Sequence, residues 1–189
     1  MIDRARSEFI LGGQRSGKSA RAEMLARDWL AADASHDAVL IATALPFDDE
    51  MRERIERHRH DRAARVPGLR TVEEPLALST TLQGLSTPST LLLVDCLTLW
   101  LTNHLMPHAG DAPTPTFDPP AAFTSLCQTV ADLPGPVVLV SNEIGLGVIP
   151  LGADVRRFVD ELGRLNQALA RTCERVTLMA AGLPLPLKG

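Results

Sequence analysis

A glycine-rich segment directly follows the first apolar run of the chain, and it limits what the chain can fold into. Residues 12–19 read G-G-Q-R-S-G-K-S and come immediately after the apolar residues 9–11. The pattern G-x-x-x-x-G-K-[ST] between a strand and a helix is typical of a loop that binds phosphates. We therefore expect a strand, a phosphate loop at residues 12–19, and a helix whose N-terminus faces the same anion. A glycine-rich turn that matches by chance is the alternative.

Each residue type in the phosphate loop has a chemical reason to be there. A triphosphate needs many backbone N–H donors at short range, and Gly12, Gly13 and Gly17 allow the tight curl that brings them together. Lys18 supplies a positive charge for the outer phosphates, and Ser19 supplies a hydroxyl ligand for Mg²⁺. The segment therefore predicts binding of a nucleoside triphosphate with its magnesium ion.

Strand-like and helix-like segments alternate along the chain. Strands are predicted at 9–12, 38–42, 90–95, 137–141 and 176–180, with a weaker one at 70–72. Helices are predicted at 18–32, 48–65, 75–82, 96–106, 120–132 and 154–172, and the Pro- and Gly-rich residues 107–120 predict a surface loop. This alternation predicts an α/β fold with a mainly parallel sheet and helices on both faces. Ligands of such folds bind at the carboxyl ends of the strands.

Composition narrows the class of protein further. The 189 residues suit one domain spanning 1–189, and the net charge of −4 without a basic stripe argues against a nucleic-acid partner. No apolar stretch reaches the length of a membrane span, and the polar first residues do not resemble a signal peptide. We therefore expect a cytoplasmic protein.

The predicted helix at 48–65 places a histidine between two arginines. Met51 and Ile55 begin an apolar stripe, and helical spacing continues it to His58 and then Arg62. Arg54 lies one turn before His58, and His60 projects to the opposite side. Arginines bind phosphate oxygens through forked hydrogen bonds, and their charge favours a neutral, nucleophilic imidazole. The alternative is a solvated helix face whose histidine has no chemical role.

Acidic residues follow two of the predicted strands. Asp95 ends the apolar run 90–94, a pattern that helps to hold Mg²⁺ beside a phosphate-loop hydroxyl. Glu73 ends the weak strand, where it either contacts ligand or favours the start of the next helix. The segment 141–150 follows another strand, and its two glycines indicate either close approach to a ligand or a plain turn.

Taken together, these motifs resemble the bifunctional adenosylcobinamide kinase / adenosylcobinamide-phosphate guanylyltransferase family of cobalamin biosynthesis. The resemblance covers nearly the whole chain, and the phosphate loop alone would be shared with many families. The other matching segments are I-A-T-A at 41–44, D-D-E-M-R-E-R-I-E-R-H at 48–58, T-V-E-E-P at 71–75, L-V-D-C-L-T-L-W-L-T-N at 93–103, V-S-N-E-I-G-L-G-V-I-P at 140–150, G-R-L-N-Q at 163–167 and A-G-L-P-L-P-L-K at 181–188.

The resemblance implies a RecA-like fold, a homotrimer and two reactions. The first phosphorylates adenosylcobinamide with a nucleoside triphosphate, ATP or GTP, and the second transfers GMP from GTP onto the resulting phosphate through a GMP–histidine intermediate. It implies that His58 and Lys18 are catalytic and that Ser19 and Asp95 hold the metal ion. The nucleotide contacts that it implies are Gly12, Gly13, Gln14, Arg15, Ser16, Gly17, Lys18, Ser19, Ala42, Thr43, Ala44, Arg59, His60, Asp61, Arg62, Glu73 and Asp95.

Three features depart from the family pattern. Leu69 stands near a place where the family commonly has an aromatic residue, and the loop 107–120 is longer than usual. His60 lies close to His58, so the identity of the nucleophile needs a direct test. The residues leave two other functions open: a small-molecule kinase without guanylyl transfer, and a nucleotide-dependent regulatory subunit. They also leave open the kinase donor and the general base for the kinase step, for which Glu73 and Asp95 are candidates.

Overall fold

The computed structural model describes residues 6–45, 52, 53, 56, 57, 60, 62, 64–107 and 117–189. Its elements, in chain order, are β1 Ser7–Gly12, α1 Lys18–Leu30, β2 Asp37–Ala42, β3 Leu69–Glu73, α2 Leu78–Leu85, β4 Thr90–Asp95, α3 Leu97–Leu105, α4 Pro119–Asp132, β5 Val137–Val140, α5 Ala153–Thr172, β6 Arg175–Ala180 and β7 Leu183–Lys188. The described residues between 52 and 65 are helical.

The strands form one seven-stranded sheet in the order β3-β2-β4-β5-β1-β6-β7. Every neighbouring pair from β3 to β6 is parallel, and β7 runs antiparallel to β6 at the edge. All strands of the parallel part therefore end at one edge of the sheet, where ligands bind in such folds.

Apolar strand residues alternate between two cores, one on each face of the sheet. On the first face, Ile10, Leu40 and Leu93 pack with Ala22 and Ala26 of α1. On the second face, strand residues pack against the buried sides of α2 to α5; examples are Phe9, Ile41, Leu78, Trp100, Leu126 and Leu165. The two covered faces explain why the strand sequences are apolar throughout. The predicted α/β architecture, a mainly parallel sheet with helices on both faces, is confirmed.

Several element boundaries differ from those predicted, and one strand was not predicted. Helix α2 begins at Leu78 rather than 75, because the Glu74 carboxylate accepts hydrogen bonds from the N–H groups of Leu76 and Ala77 in a turn. The loop predicted at 107–120 ends earlier, since Pro119 is the first residue of α4, a position that suits proline. Strand β7 was not predicted, because its sequence L-P-L-P-L-K contains two prolines, which only an edge strand tolerates.

Part of the predicted helix at 48–65 lies outside the described residues. The undescribed positions of this helix are 48–51, Arg54, Ile55, His58, Arg59, Asp61 and Ala63. Residues 108–116 of the predicted loop also lie outside the described residues. Within the described part of the chain, no helix is both long enough and apolar enough to cross a membrane.

Candidate functional site

The phosphate loop connects β1 to α1 through a tight turn. Gly12 and Gly17 have φ angles of 153° and 100°, and Gly17 is the N-cap of α1. The Ser16 N–H donates to the Gly13 carbonyl oxygen at 3.3 Å, and the Lys18 ammonium donates to the same oxygen at 2.6 Å. The strand, the curled loop and the helix N-terminus are therefore arranged as the motif predicts.

Packing around the loop requires glycine at position 12. A Cβ atom there would lie 2.5 Å from both the Met179 carbonyl oxygen and the Ser16 hydroxyl oxygen, well inside any allowed contact. At Gly17 the added atom would lie 3.3 Å from the Gly182 Cα, and the positive φ already disfavours side chains. At Gly13 it would meet no heavy atom within 4 Å, so the protein's own packing does not require glycine there.

The Lys18 side chain is buried beside acidic groups. Burial lowers the pKa of its ammonium below the ordinary value of 10.5, and the nearby Cys96 and Asp95 side chains act in the opposite direction. The Ser16 hydroxyl is buried too, and it has no hydrogen-bond partner in the described part of the chain. A buried ammonium next to an unpaired hydroxyl at a helix N-terminus is an environment that an anionic phosphate would satisfy.

The sheet register brings three predicted site residues into one row. Ala42 of β2 lies opposite Glu73 of β3 on one side and opposite Asp95 of β4 on the other. Adjacent strands are about 4.8 Å apart, so the ends of these strands form a continuous shelf. The row continues through Val140 of β5 to Ile10 of β1, two residues before the phosphate loop.

Thr43 has a structural role in this shelf. Its hydroxyl donates to the Cys96 carbonyl oxygen at 2.7 Å and accepts from the Cys96 N–H at 3.0 Å. Its carbonyl oxygen accepts a hydrogen bond from the Asn103 amide at 2.8 Å, and that amide also donates to the Pro75 carbonyl oxygen at 3.1 Å. Asn103 thereby holds together the turns that follow β2 and β3. Asn103 belongs to one of the segments that resemble the family, but the sequence analysis assigned it no role. The available signal was a polar residue on the apolar side of a helix.

Residues 60 and 62 fit the helix face predicted for them. His60 is exposed, whereas Arg62 is buried and its Nε lies 3.5 Å from a carboxylate oxygen of Glu23 in α1. Arg65 contacts the same carboxylate group at 3.2 Å. Glu23 therefore ties this segment to the helix that begins at the phosphate loop, a contact that sequence reasoning missed. His58, Arg59 and Asp61 lie outside the described residues, so their predicted roles stay predictions.

The segment 141–152 after β5 lies beside the phosphate loop. The Glu143 N–H donates to the Gly12 carbonyl oxygen at 3.1 Å, and the Asn142 N–H donates to the Thr98 hydroxyl at 2.9 Å. Two cavities adjoin this segment. One of about 360 Å³ is lined by Glu143 and the phosphate loop, and one of about 590 Å³ extends toward α5. The site thus consists of the row of strand ends at the sheet edge, with two cavities beside the segment that follows β5.

The fold and the shelf together define an α/β protein of the phosphate-loop nucleotide-binding class. Comparison with sequence families is more specific. The sequence pattern of the family described as cobinamide kinase / cobinamide phosphate guanyltransferase matches residues 8–187. The chain belongs to this family, and it is an enzyme of the bifunctional kinase and guanylyltransferase type.

Curated relatives match over almost their full length. The bifunctional adenosylcobalamin biosynthesis protein CobP of Pseudomonas aeruginosa is 50% identical over 186 residues, which cover 96% of this chain and 97% of that protein. The bifunctional adenosylcobalamin biosynthesis protein CobU of Escherichia coli is 35% identical over 187 residues, 95% of this chain and 98% of that protein. The resemblance stated from the motifs is therefore confirmed.

Solved structures support the fold. A protein of Pyrococcus horikoshii OT3 aligns with a TM-score of 0.52 and 10% identity, covering 100% of this chain and 89% of that one. The flagellar accessory protein FlaH of Methanocaldococcus jannaschii aligns with a TM-score of 0.50 and 11% identity, covering 96% of this chain and 77% of that one. At such low identity the likeness concerns the fold alone, and it agrees with the RecA-like architecture.

Proposed function

We propose that this chain phosphorylates the aminopropanol hydroxyl of adenosylcobinamide and then transfers GMP from GTP onto the new phosphate, with His58 carrying the GMP between the two substrates. The observation that supports this most is the register of the sheet, in which Glu73, Ala42 and Asp95 form one row beside the phosphate loop. These are positions at which the family resemblance places the nucleotide.

In the kinase step, the acceptor hydroxyl oxygen bonds to the γ-phosphorus of the triphosphate, and the bond to the β–γ bridging oxygen breaks. Lys18 stabilises the charge that moves onto the departing diphosphate, and the backbone N–H groups of residues 12–19 hold the phosphates. The hydroxyl proton passes to a carboxylate, for which Glu73 and Asp95 are the candidates. Positioning and charge carry most of the rate enhancement.

In the guanylyl transfer, the neutral imidazole of His58 attacks the α-phosphorus of GTP, and the bond to the α–β bridging oxygen breaks as pyrophosphate leaves. A phosphate oxygen of cobinamide phosphate then attacks the same phosphorus, the P–N bond breaks, and the imidazole is regenerated. This nucleophilic catalysis splits one displacement into two steps. The neighbouring arginines favour the neutral imidazole, because like charge disfavours imidazolium.

The donor set in the described residues suits Mg²⁺. A serine hydroxyl from Ser19 and a carboxylate from Asp95 are hard oxygen ligands, and no cluster of three or more His, Cys, Asp or Glu residues that could hold a metal occurs in the described ranges. Such a sparse set fits an ion that arrives with the nucleotide and keeps phosphate and water ligands. Bound there, Mg²⁺ would neutralise phosphate charge.

The assembly and the cellular setting are part of the same proposal. By family resemblance, the enzyme is a homotrimer whose partners are the corrinoid and the nucleotides. From composition, we expect a cytoplasmic location and no nucleic-acid partner. The net charge of −4 supports the last point, because a nucleic-acid-binding surface requires an excess of basic residues.

The proposal is tested by incubating the protein with α-labelled GTP and following the label in acid and alkali. A phosphoramidate on histidine is labile in acid and stable in alkali. We expect such a label on the native protein and on His60→Ala, and none on His58→Ala. Label retained in His58→Ala, with loss in His60→Ala, would move the role to the neighbouring histidine. A native protein that phosphorylates cobinamide without ever acquiring label would leave only the kinase activity.

A further inference from the structure

The loop after β5 exposes an unusual number of apolar side chains. Leu146, Val148, Ile149 and Leu151 are 82%, 96%, 77% and 96% exposed. We call residues 144–151 the apolar loop. Exposed apolar residues scattered singly are ordinary, but a contiguous group beside a site marks a binding surface. The phosphates and ribose of a nucleotide do not account for this surface, because they bind through polar groups and charges.

The apolar loop forms one wall of the cavity of about 590 Å³, and α5 forms the opposite wall. This volume lies within the range of small-molecule sites. The lining is mostly apolar and includes Leu146, Val148, Ile149 and Val159, together with a few polar side chains such as Asn166.

One of the polar groups in the lining is incompletely bonded. Asn166 is only 3% exposed, and its side-chain N–H donates to the Asn142 carbonyl oxygen at 3.0 Å. Its side-chain oxygen is buried, and nothing in the described ranges donates a hydrogen bond to it. Leaving a buried acceptor unpaired costs about 1–3 kcal/mol, so a hydrogen bond from a molecule bound in the cavity would be favourable at this oxygen.

The cavity adjoins the cavity at the phosphate loop, and the two share Glu143 as a lining residue. Leu11 and Glu143 line the larger cavity, and the Glu143 N–H donates to the carbonyl oxygen of Gly12. Glu143 also lines the smaller cavity against residues 13–16. A molecule held between the apolar loop and α5 can therefore extend a short polar arm to the phosphate loop.

We propose that this cavity and the apolar loop bind the corrin ring system of the acceptor substrate, with the side-chain oxygen of Asn166 accepting a hydrogen bond from a primary amide at the ring edge. The inference rests on the proposed function, because a corrinoid acceptor is what the two reactions require. Corrinoids combine apolar, methyl-bearing faces with a rim of primary amides, and amide N–H groups are the donors that Asn166 lacks. The ring exceeds the cavity, so the exposed part of the loop covers the remainder.

The first test removes apolar contact without adding charge. The double variant Val148→Ser/Ile149→Ser is compared with Leu183→Ser/Leu185→Ser, a matched pair of exposed residues on β7. Cobinamide binding is measured by equilibrium dialysis, and protein–GMP formation is measured in parallel without corrinoid. We expect cobinamide to bind at least tenfold more weakly to the first variant, with less than twofold change for the β7 variant. The nucleotide half-reaction should change far less than corrinoid binding.

The second test concerns Asn166. It measures the ratio of the affinities for two corrinoids, which would not change if Asn166 had only a structural role. Native protein should prefer cobinamide over a derivative whose peripheral amides are hydrolysed to carboxylates, because a carboxylate cannot donate to the Asn166 oxygen. In Asn166→Ala this preference should fall at least fivefold, even if both affinities drop because the Asn142 carbonyl has lost its donor.

Two outcomes overturn the proposal. The first is native-like cobinamide binding by Val148→Ser/Ile149→Ser together with an unchanged amide preference in Asn166→Ala. The second is weaker binding accompanied by a smaller sedimentation coefficient, since the apolar loop would then be a contact between copies of the chain. Failure of the proposed function is recognised separately, in the native protein, which would neither modify cobinamide nor acquire GMP.

Discussion

The phosphate loop and the apolar loop follow neighbouring strands and lie at the same edge of the sheet, yet their packing and exposure are opposite. In the phosphate loop, the Lys18 ammonium donates a hydrogen bond to a main-chain carbonyl oxygen of the turn. A Cβ atom at Gly12 would collide with backbone atoms. In the apolar loop, large side chains stand in solvent, and a Cβ at Gly147 would come no nearer than 3.8 Å to any atom. The first is pre-organised for an anion, and the second offers surface to a bulky apolar molecule.

The largest expected effect separates the two lysines of the chain. Lys18→Ala should slow both phosphoryl and guanylyl transfer by about 100- to 1,000-fold, because it removes the charge that meets the departing phosphates. Steady-state kinetics with each substrate measure the loss.

The matched control is Lys188→Ala. Its ammonium donates to carbonyl oxygens at the end of α5, those of Ala170, Arg171 and Cys173. That variant should keep its turnover and lose about 1 kcal/mol of unfolding free energy. Equal turnover in both variants would remove Lys18 from the chemistry.

The next effect compares glycines in the two loops. Gly12→Ala should lower the free energy of unfolding by about 1–3 kcal/mol, because the new methyl group meets the Met179 carbonyl oxygen, which cannot move freely. Gly147→Ala should stay within about 0.5 kcal/mol. Urea denaturation of both variants measures the difference, and similar losses in the two would mean that the phosphate loop is no more tightly packed than its neighbour.

An effect of similar size concerns the contact that ties residues 62 and 65 to α1. Glu23→Gln should cost about 1–3 kcal/mol of unfolding free energy, because the buried Arg62 guanidinium loses its charged partner. Asp28→Asn on the same helix alters an exposed pair with Arg27 and should cost less than about 1 kcal/mol. Thermal unfolding compares them; a larger loss in Asp28→Asn would contradict the structural role of Glu23.

The smallest effect concerns His104 of α3, which contacts the turn after β3, a third segment at this edge. His104 packs against Trp100 and Phe117, and its Nε2 lies 3.3 Å from the Leu76 carbonyl oxygen. Burial lowers the pKa of the His104 imidazole below 6.5, and the hydrogen bond to Leu76 partly opposes this. The unfolded chain therefore binds the proton more readily, so the stability that His104 contributes at higher pH is lost as pH falls through 6.5 and below.

The pH dependence of the melting temperature tests this assignment. Between about pH 5 and 8, the melting temperature of the native protein should fall toward acid, and His104→Gln should show a shallower fall. Parallel curves for the two proteins would mean that His104 does not contribute to the acid sensitivity.

Local motifs were predictable from the sequence, and contacts between distant segments were not. The phosphate loop and Asp95 were predicted because their residue types follow from phosphate chemistry within a few positions. Asn103 and Asn166 had only a weak signal, a polar residue within an apolar helical stripe, and their partners Thr43 and Asn142 are far away in sequence. The sheet order that makes Ala42 a neighbour of both Glu73 and Asp95 likewise arises from packing of the whole chain.

Strand β7 is a second kind of feature that was not predicted from the sequence, because its position in the sheet is what makes it a strand. Pro184 and Pro186 lie opposite Met179 and Thr177 of β6 in an edge strand that needs hydrogen bonds on one side only. Two prolines in six residues are a poor local signal for a strand, and only the edge position of β7 permits them.

The most direct test of the account is a single-turnover chase. The protein is loaded with α-labelled GMP, freed of GTP and pyrophosphate, and mixed with cobinamide phosphate, while label is followed on protein and corrinoid together. The account predicts that label leaves the protein and appears on the corrinoid at one rate, at least as fast as steady-state turnover. Label that stays on the protein, or guanylylated corrinoid formed at the native rate by His58→Ala, would contradict it.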